Sequence, residues 1–279
     1  MKNLKPINKD AFDIYKDAVA RKREGVEKNF LNANETDVKS YYKEYDTAFG
    51  ESSLGKITPH NLAPQLKSAL YGMYSYTCKA VRDIRNEINN INPPNVTGFC
   101  QNCGLTSANT MDHYLPHDSF PEYSIHAKNL IPCCSECNER KGKDEILNVY
   151  LDEFPNVEYL FMDVERDGEI LSFTFGVENK CNAIDSKFFK RIENHYNRLD
   201  LFRRMKYAAI NALSRFEIDI KKNYLDRGKD YVVEIISESI EDLRKAYGYN
   251  YWEVAFREGL MNSSQFWTYY DEKVQKGQV

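Results

Sequence analysis

Four of the chain's seven cysteines fall in two Cys-x-x-Cys pairs, Cys100/Cys103 and Cys134/Cys137. Such a step folds as a tight knuckle that turns two thiolates toward one ion. Two knuckles supply the four soft ligands that tetrahedral zinc prefers. The stretch they bracket reads FCQNCGLTSANTMDHYLPHDSFPEYSIHAKNLIPCCSECNERKG, from Phe99 to Gly142. It is loop-rich and too short for a large core, so a structural zinc at its base is the expected staple. Cys133 competes with Cys134 for the metal. The two-residue step to Cys137 favours Cys134 and leaves Cys133 as a buried thiol, and Cys78 and Cys181 have no partner that the spacing identifies.

Between and after the cysteines come Asp112-His113-Tyr114-Leu115-Pro116, Asn129-Leu130-Ile131-Pro132, then Asn138 and Lys141-Gly142. In this order the stretch resembles the HNH endonucleases, the ββα-metal or His-Me finger nucleases, here with a four-cysteine zinc site. The resemblance covers about 45 of the 279 residues and rests on several elements in sequence, not on any one. One position departs from the common pattern. Asn138 stands where many members carry the last His of the name, a family variant that still offers a metal a carboxamide oxygen.

The resemblance implies metal-dependent hydrolysis of phosphodiester bonds in DNA, leaving 5′-phosphate and 3′-hydroxyl ends. His113 would be the general base, and neutral imidazole suits that role near pH 7. Asn129 would hold the hairpin loop and thereby aim His113. Asp112 and Asn138, hard oxygen donors, would hold the catalytic Mg²⁺ or Mn²⁺, which neutralises the phosphate and helps the 3′ oxygen depart. Lys141 would steady a phosphate. Family members that serve in bacterial defence against phage, or in restriction, suggest such an effector here. The alternatives are an RNA-cleaving effector run by a regulatory partner protein and an inert zinc module that binds nucleic acid or protein. The inert module predicts loss of Asp112, His113 or Asn138, and all three are present.

Each residue also has a plainer reading. Neighbours on a regular strand point to opposite faces, so Asp112 and His113 serve one site only if the backbone is irregular there. His117 and His126 read as surface histidines, with His126 the better candidate for contacting substrate because it stands three residues before Asn129. His60 and His195 read as packing or surface residues. The series Arg191, Arg198, Arg203, Arg204, Lys206 reads as a nucleic-acid groove or, equally, as a solvated face.

The remaining sequence must position this module. Residues 1–95 read as a helical region. Apolar positions from Phe12 to Phe30 have helical spacing, as do those from Val38 to Phe49. The longest run extends from Leu62 to Ile91 and is ended by Pro93-Pro94. Residues 96–148 would be the nuclease module that the resemblance implies, with short strands over 110–115 and 129–131 and a helix from Ser135 to Leu147. Cys137 and Asn138 stand about 100° apart on that helix, so one can face the zinc while the other faces the hairpin. Residues 149–279 open with a hairpin turning at Arg166-Asp167-Gly168-Glu169 and continue as helices from Asp185, with a break near Leu199 and another helix from Tyr231 to Tyr247. The fold class expected is mainly α, with a small ββα-metal zinc module and one further β-hairpin. The formal charge of −4 argues against a nucleic-acid binder that uses its whole surface, though not against a local basic groove. No signal peptide or membrane-length apolar run is found, and the cysteine usage suits a reducing compartment, so a cytoplasmic protein without a membrane partner is expected.

Overall fold

The structure, a computed structural model, describes residues 1–143 and 145–278. The chain divides into two compact units. One holds Asn3–Asn102 and Thr106–Glu153, and the other holds Met1–Lys2, Cys103–Leu105 and the chain from Phe154 onward. The fold is mainly helical with two separate antiparallel hairpins.

In the first unit, helices α1 (Ala11–Ala20), α2 (Val26–Ala33), α3 (Glu35–Gly50), α4 (Pro64–Tyr71), α5 (Lys79–Ile91) and the single turn α6 (Pro94–Thr97) precede strands β1 (Thr110–His113) and β2 (Leu130–Cys133) and helix α7 (Ser135–Lys141). The Asp10 side chain caps α1 by accepting from the amides of Phe12 and Asp13. Pro64 opens α4, where a missing N–H costs nothing. Phe12, Tyr15, Val38, Tyr42, Leu66, Leu70, Val81, Ile84 and Ile88 form one apolar core, which continues into the hairpin through Met111, Ile125 and Leu130. The helices are thus the wall against which the β1–β2 hairpin is set.

The run expected to be one helix over 62–91 is two, because α4 stops at Tyr71 and α5 starts at Lys79. Met73 remains buried and Tyr74 half-buried in the connection, so the apolar pattern persists where the helix does not. The module helix is shorter than its sequence pattern. It ends at Lys141, where Gly142 takes a positive φ of +58° that leaves helical geometry and that glycine adopts without a side-chain clash. Asp144, within the stretch expected to be helical, lies outside the described residues.

In the second unit, β3 (Leu160–Asp167) pairs with β4 (Ile170–Val177) around Gly168 at φ +59°. Helices α8 (Ser186–Arg198), α9 (Leu201–Tyr247, interrupted at Gly228), α10 (Trp252–Asn262) and α11 (Ser264–Gln275) complete it. The break expected near Leu199 is present, with Asp200 at φ +53° between α8 and α9. Among the described residues no helix is long and apolar enough to cross a membrane.

Candidate metal centre and histidine site

Cys100, Cys103, Cys134 and Cys137 come together with all four Sγ atoms within 4.8 Å of one another, each cysteine buried. Cys134 is the N-cap of α7, and its sulfur lies 3.4 Å from the Cys137 amide, so one helix start orients two thiols. Four thiolates at this separation suit zinc, and a set with no open position is of the structural kind. Cys133 is buried next door on β2 and outside the cluster, as the ligand spacing implies.

The β1–β2 ladder pairs Asp112 with Ile131 and His113 with Leu130. The two neighbours face different partners, as alternation along a strand requires. Asp112 turns to α7, where Lys141 Nζ lies 3.2 Å from each carboxylate oxygen and also donates to the His113 carbonyl at 2.5 Å. Burial holds the Asp112 carboxyl above its usual range, while Lys141 acts the other way. Lys141 is only 1% exposed, so it braces the hairpin from inside and does not reach a surface phosphate in this conformation. Asn138, one turn earlier on α7, is half-buried, and its carboxamide makes no hydrogen bond among the described residues.

His113 is buried with Nε2 2.9 Å from the Ser124 carbonyl oxygen. Its ring meets Tyr74 edge-on at 4.3 Å and stacks on His117 at 4.6 Å and 5°. Burial, and next the adjacent His117, pull the imidazole down to about 3. Tyr74 is fixed in turn by donating to the Met111 carbonyl at 2.9 Å.

Asn129 is fully buried and uses all its hydrogen-bonding capacity, three bonds on the loop and one from Tyr45 of α3. Its Oδ1 accepts from the Leu115 amide at 2.7 Å and from the Tyr45 hydroxyl at 3.2 Å. Its Nδ2 donates to the carbonyls of Leu115 and Tyr123, both at 3.2 Å. The residue after Tyr123 supplies the carbonyl that holds His113, so Asn129 positions the imidazole through two links of backbone.

His126, expected to be the better substrate contact, is instead 0% exposed. It packs between Tyr42 and Tyr45, with ring centroids at 4.8 and 4.1 Å. Burial, and then Lys128, push its pKa well below 6.5, so it is a neutral core residue that no substrate reaches. His60, half-buried, bonds the carboxylates of Glu44 and Glu122 at 2.9 and 2.7 Å, and His195 is buried. The basic series on the later helices does not share one face. Arg204 is buried and donates to the Leu199 carbonyl, Arg203 pairs with Asp200, and Arg191 lies over the Phe188 ring. Sequence reasoning missed Tyr74, Ser124 and the stacked position of His117. Only tertiary packing joins Tyr74 to the strand, and no spacing announces it.

Set beside known proteins, this arrangement has relatives over part of its length. The chain is similar to protein ea31 of Escherichia phage lambda. The two are 25% identical over 186 residues, which is 60% of this chain and 62% of that protein. A shorter likeness, 36% identity over 47 residues, links it to Septu protein PtuB of Bacillus thuringiensis and covers 15% of this chain and 18% of PtuB. The chain therefore spans less than two thirds of either curated relative. No family model matches it, and no solved structure does.

Proposed function

We propose that the chain is a metal-dependent HNH-type nuclease that hydrolyses phosphodiester bonds in DNA, with His113 as the general base. One observation carries this reading: among the described residues the fold bonds one imidazole nitrogen and leaves the other for chemistry. The Ser124 carbonyl can only accept, so Nε2 carries the proton and Nδ1 keeps the lone pair. Burial keeps the ring neutral at physiological pH, so that lone pair is open to a proton from water attacking phosphorus; the same burial lowers its basicity, which the negative charge of a bound phosphate would raise. Tyr74 and His117 fix the ring plane, and Asn129 fixes the loop that holds it.

Asp112 and Asn138 offer one carboxylate and one carboxamide oxygen, a hard donor pair of the kind Mg²⁺ or Mn²⁺ takes while keeping several waters. A cation there would neutralise charge on the phosphate and stabilise the departing oxygen; because Asp112 and His113 alternate along the regular β1–β2 ladder, serving one phosphate together requires that ladder to distort when substrate binds. Lys141 already touches both Asp112 oxygens, so cation and ammonium must share or exchange that carboxylate. The four-cysteine site, closed by its own ligands, is a staple and not a catalyst. The likeness to a Septu protein supports placing such a nuclease in defence against phage.

The test is incubation of zinc-loaded protein with plasmid, linear duplex, single-stranded DNA and RNA, with Mg²⁺, Mn²⁺ or neither. DNA cleavage that requires the added cation and is lost in His113→Ala is expected. No cleavage of any DNA substrate under any cation refutes the reading, and cleavage confined to RNA replaces its substrate.

A further inference from the structure

Three aromatic rings lie in a ladder beside the proposed base. Tyr71 stacks on His117 at 4.0 Å and 8°, and His117 stacks on His113 at 4.6 Å and 5°. Other ring pairs in this unit are either tilted, as Tyr45 and His126 by 38° and Tyr42 and His126 by 52°, or stacked at longer range, as Phe12 and Tyr15 at 5.6 Å and 17°. Those pairs fill the core, where tilted, edge-on and offset packing are all usual. The coplanar ladder does something else. It runs outward, from buried His113 through half-buried His117 to Tyr71, which is 46% exposed although His117 covers one of its faces. The exposure therefore lies on the opposite face and edge.

From this we propose that the ladder is a base-stacking platform, and that the outer face of Tyr71 receives an unpaired base of a single-stranded or locally opened nucleic acid. The inference rests on the nuclease reading and deepens it by naming the form of the substrate. A base stacked at about 3.4 Å beyond Tyr71 lies on the order of 12 Å from the His113 ring, within a few nucleotides of the attacked phosphate. In an intact duplex both faces of each internal base are covered by its neighbours, so only a single strand, an end or an opened segment can use the platform. Every base has a π face, so the contact favours single-strandedness and is nearly indifferent to sequence. The chain's net charge of −4 weakens general attraction to phosphates and leaves stacking a larger share of the binding. The platform is also stiff. Tyr71 is the last residue of α4, and its backbone carbonyl bonds His117 Nε2 at 3.1 Å. Because that bond uses the backbone, substitutions of the Tyr71 side chain leave His117 anchored.

The test uses zinc-loaded full chain and a 12-nucleotide single strand carrying 2-aminopurine at successive positions, with Ca²⁺ replacing Mg²⁺ for binding and Mg²⁺ for cleavage. The parent and Tyr71→Phe should quench the fluorophore at one or two adjacent positions, and Tyr71→Ala should not. Loss of one stacked base corresponds to about a 5- to 100-fold rise in KM on single strands. The zinc content should not change. Rescue by Phe separates stacking from loss of the hydroxyl. If the parent cleaves single strands and Tyr71→Ala matches it in KM and quenching, the platform falls and the nuclease reading stands. If the parent neither binds nor cleaves any nucleic acid, both fall together.

Discussion

Replacing Lys141 with methionine isolates the pair at the centre of the hairpin. The Lys141 and Asp112 side chains are 1% and 6% exposed, so the solvent screening that makes surface ion pairs weak is absent. Methionine keeps the stem and roughly the volume, but it strands a buried carboxylate and removes the donor to the His113 carbonyl. Breaking a buried pair from one side costs about 3–5 kcal/mol. With a urea slope near 2 kcal/mol/M, the unfolding midpoint should drop by about 2 M. Asp112→Leu combined with Lys141→Met should recover most of that loss. The pH dependence has a definite sign. Burial raises the Asp112 carboxyl and Lys141 opposes the rise, so removing Lys141 raises it further. A carboxyl whose folded pKa exceeds its unfolded value costs stability above the folded pKa, and the cost disappears as pH falls through it. The deficit of Lys141→Met should therefore be largest near pH 8 and shrink on acidification. A divalent cation at Asp112 would replace the missing charge, so Mg²⁺ at ten times its Kd should return about 1.4 kcal/mol to the variant. A midpoint loss equivalent to less than about 1 kcal/mol would refute the buried-pair energetics. A variant indifferent to Mg²⁺ would remove Asp112 as a cation ligand.

Cys134→Ser should lose zinc and much of its soluble yield, because binding energy at this site is folding energy, while Cys133→Ser should keep one zinc per chain by atomic absorption. Stoichiometric zinc in well-folded Cys134→Ser would show that the ligand set is wrong. His126 is buried neutral, so below its unfolded pKa near 6.5 only the unfolded chain gains a proton. Between pH 7 and pH 5.5 this histidine alone should remove about 1.2 kcal/mol of stability, and His126→Phe should flatten the slope by that amount in urea titrations. Asn129→Ala leaves the Leu115 amide and two carbonyls without their partner. It should cost at least about 2 kcal/mol and lower cleavage together with stability, and an unchanged urea midpoint would show that the latch is not needed.

The parts legible in the sequence were those whose partners are local. Two Cys-x-x-Cys steps set the thiol cluster, because a knuckle needs only its own few residues. The Asp-Gly hairpin at 167–168 followed from turn chemistry. The Leu62–Ile91 run misled because periodicity registers burial, and burial continues through Met73 and Tyr74 after the helix has ended. His117 read as a surface residue because a proline-bearing loop is normally solvated. Its place depends on Tyr71, 46 residues earlier, which no pattern in the loop encodes. His126 misled for the same reason, since the two tyrosines that enclose it come from α3.

The motif's residues are largely bonded to one another. Lys141 holds Asp112 and the His113 carbonyl, and Asn129 holds Leu115 and Tyr123. Most of the pattern is therefore accounted for by folding alone, and a chain could keep it without cutting anything. His113 is where the two explanations separate, because among the described residues folding bonds Nε2 and gives Nδ1 no hydrogen-bond partner. His113→Gln offers an amide donor for the Ser124 carbonyl and removes the basic nitrogen. If the motif is only a scaffold, this variant should resemble the parent in every assay. If Nδ1 is the base, zinc content and urea midpoint should stay close to the parent while cleavage falls by about 10²–10⁴-fold. Because the parent ring stays neutral down to about pH 3, protonation of His113 itself should not reduce cleavage between pH 5 and pH 8. Near-parental cleavage by folded, zinc-loaded His113→Gln would leave the hairpin as a structural element and the chemistry to be sought elsewhere.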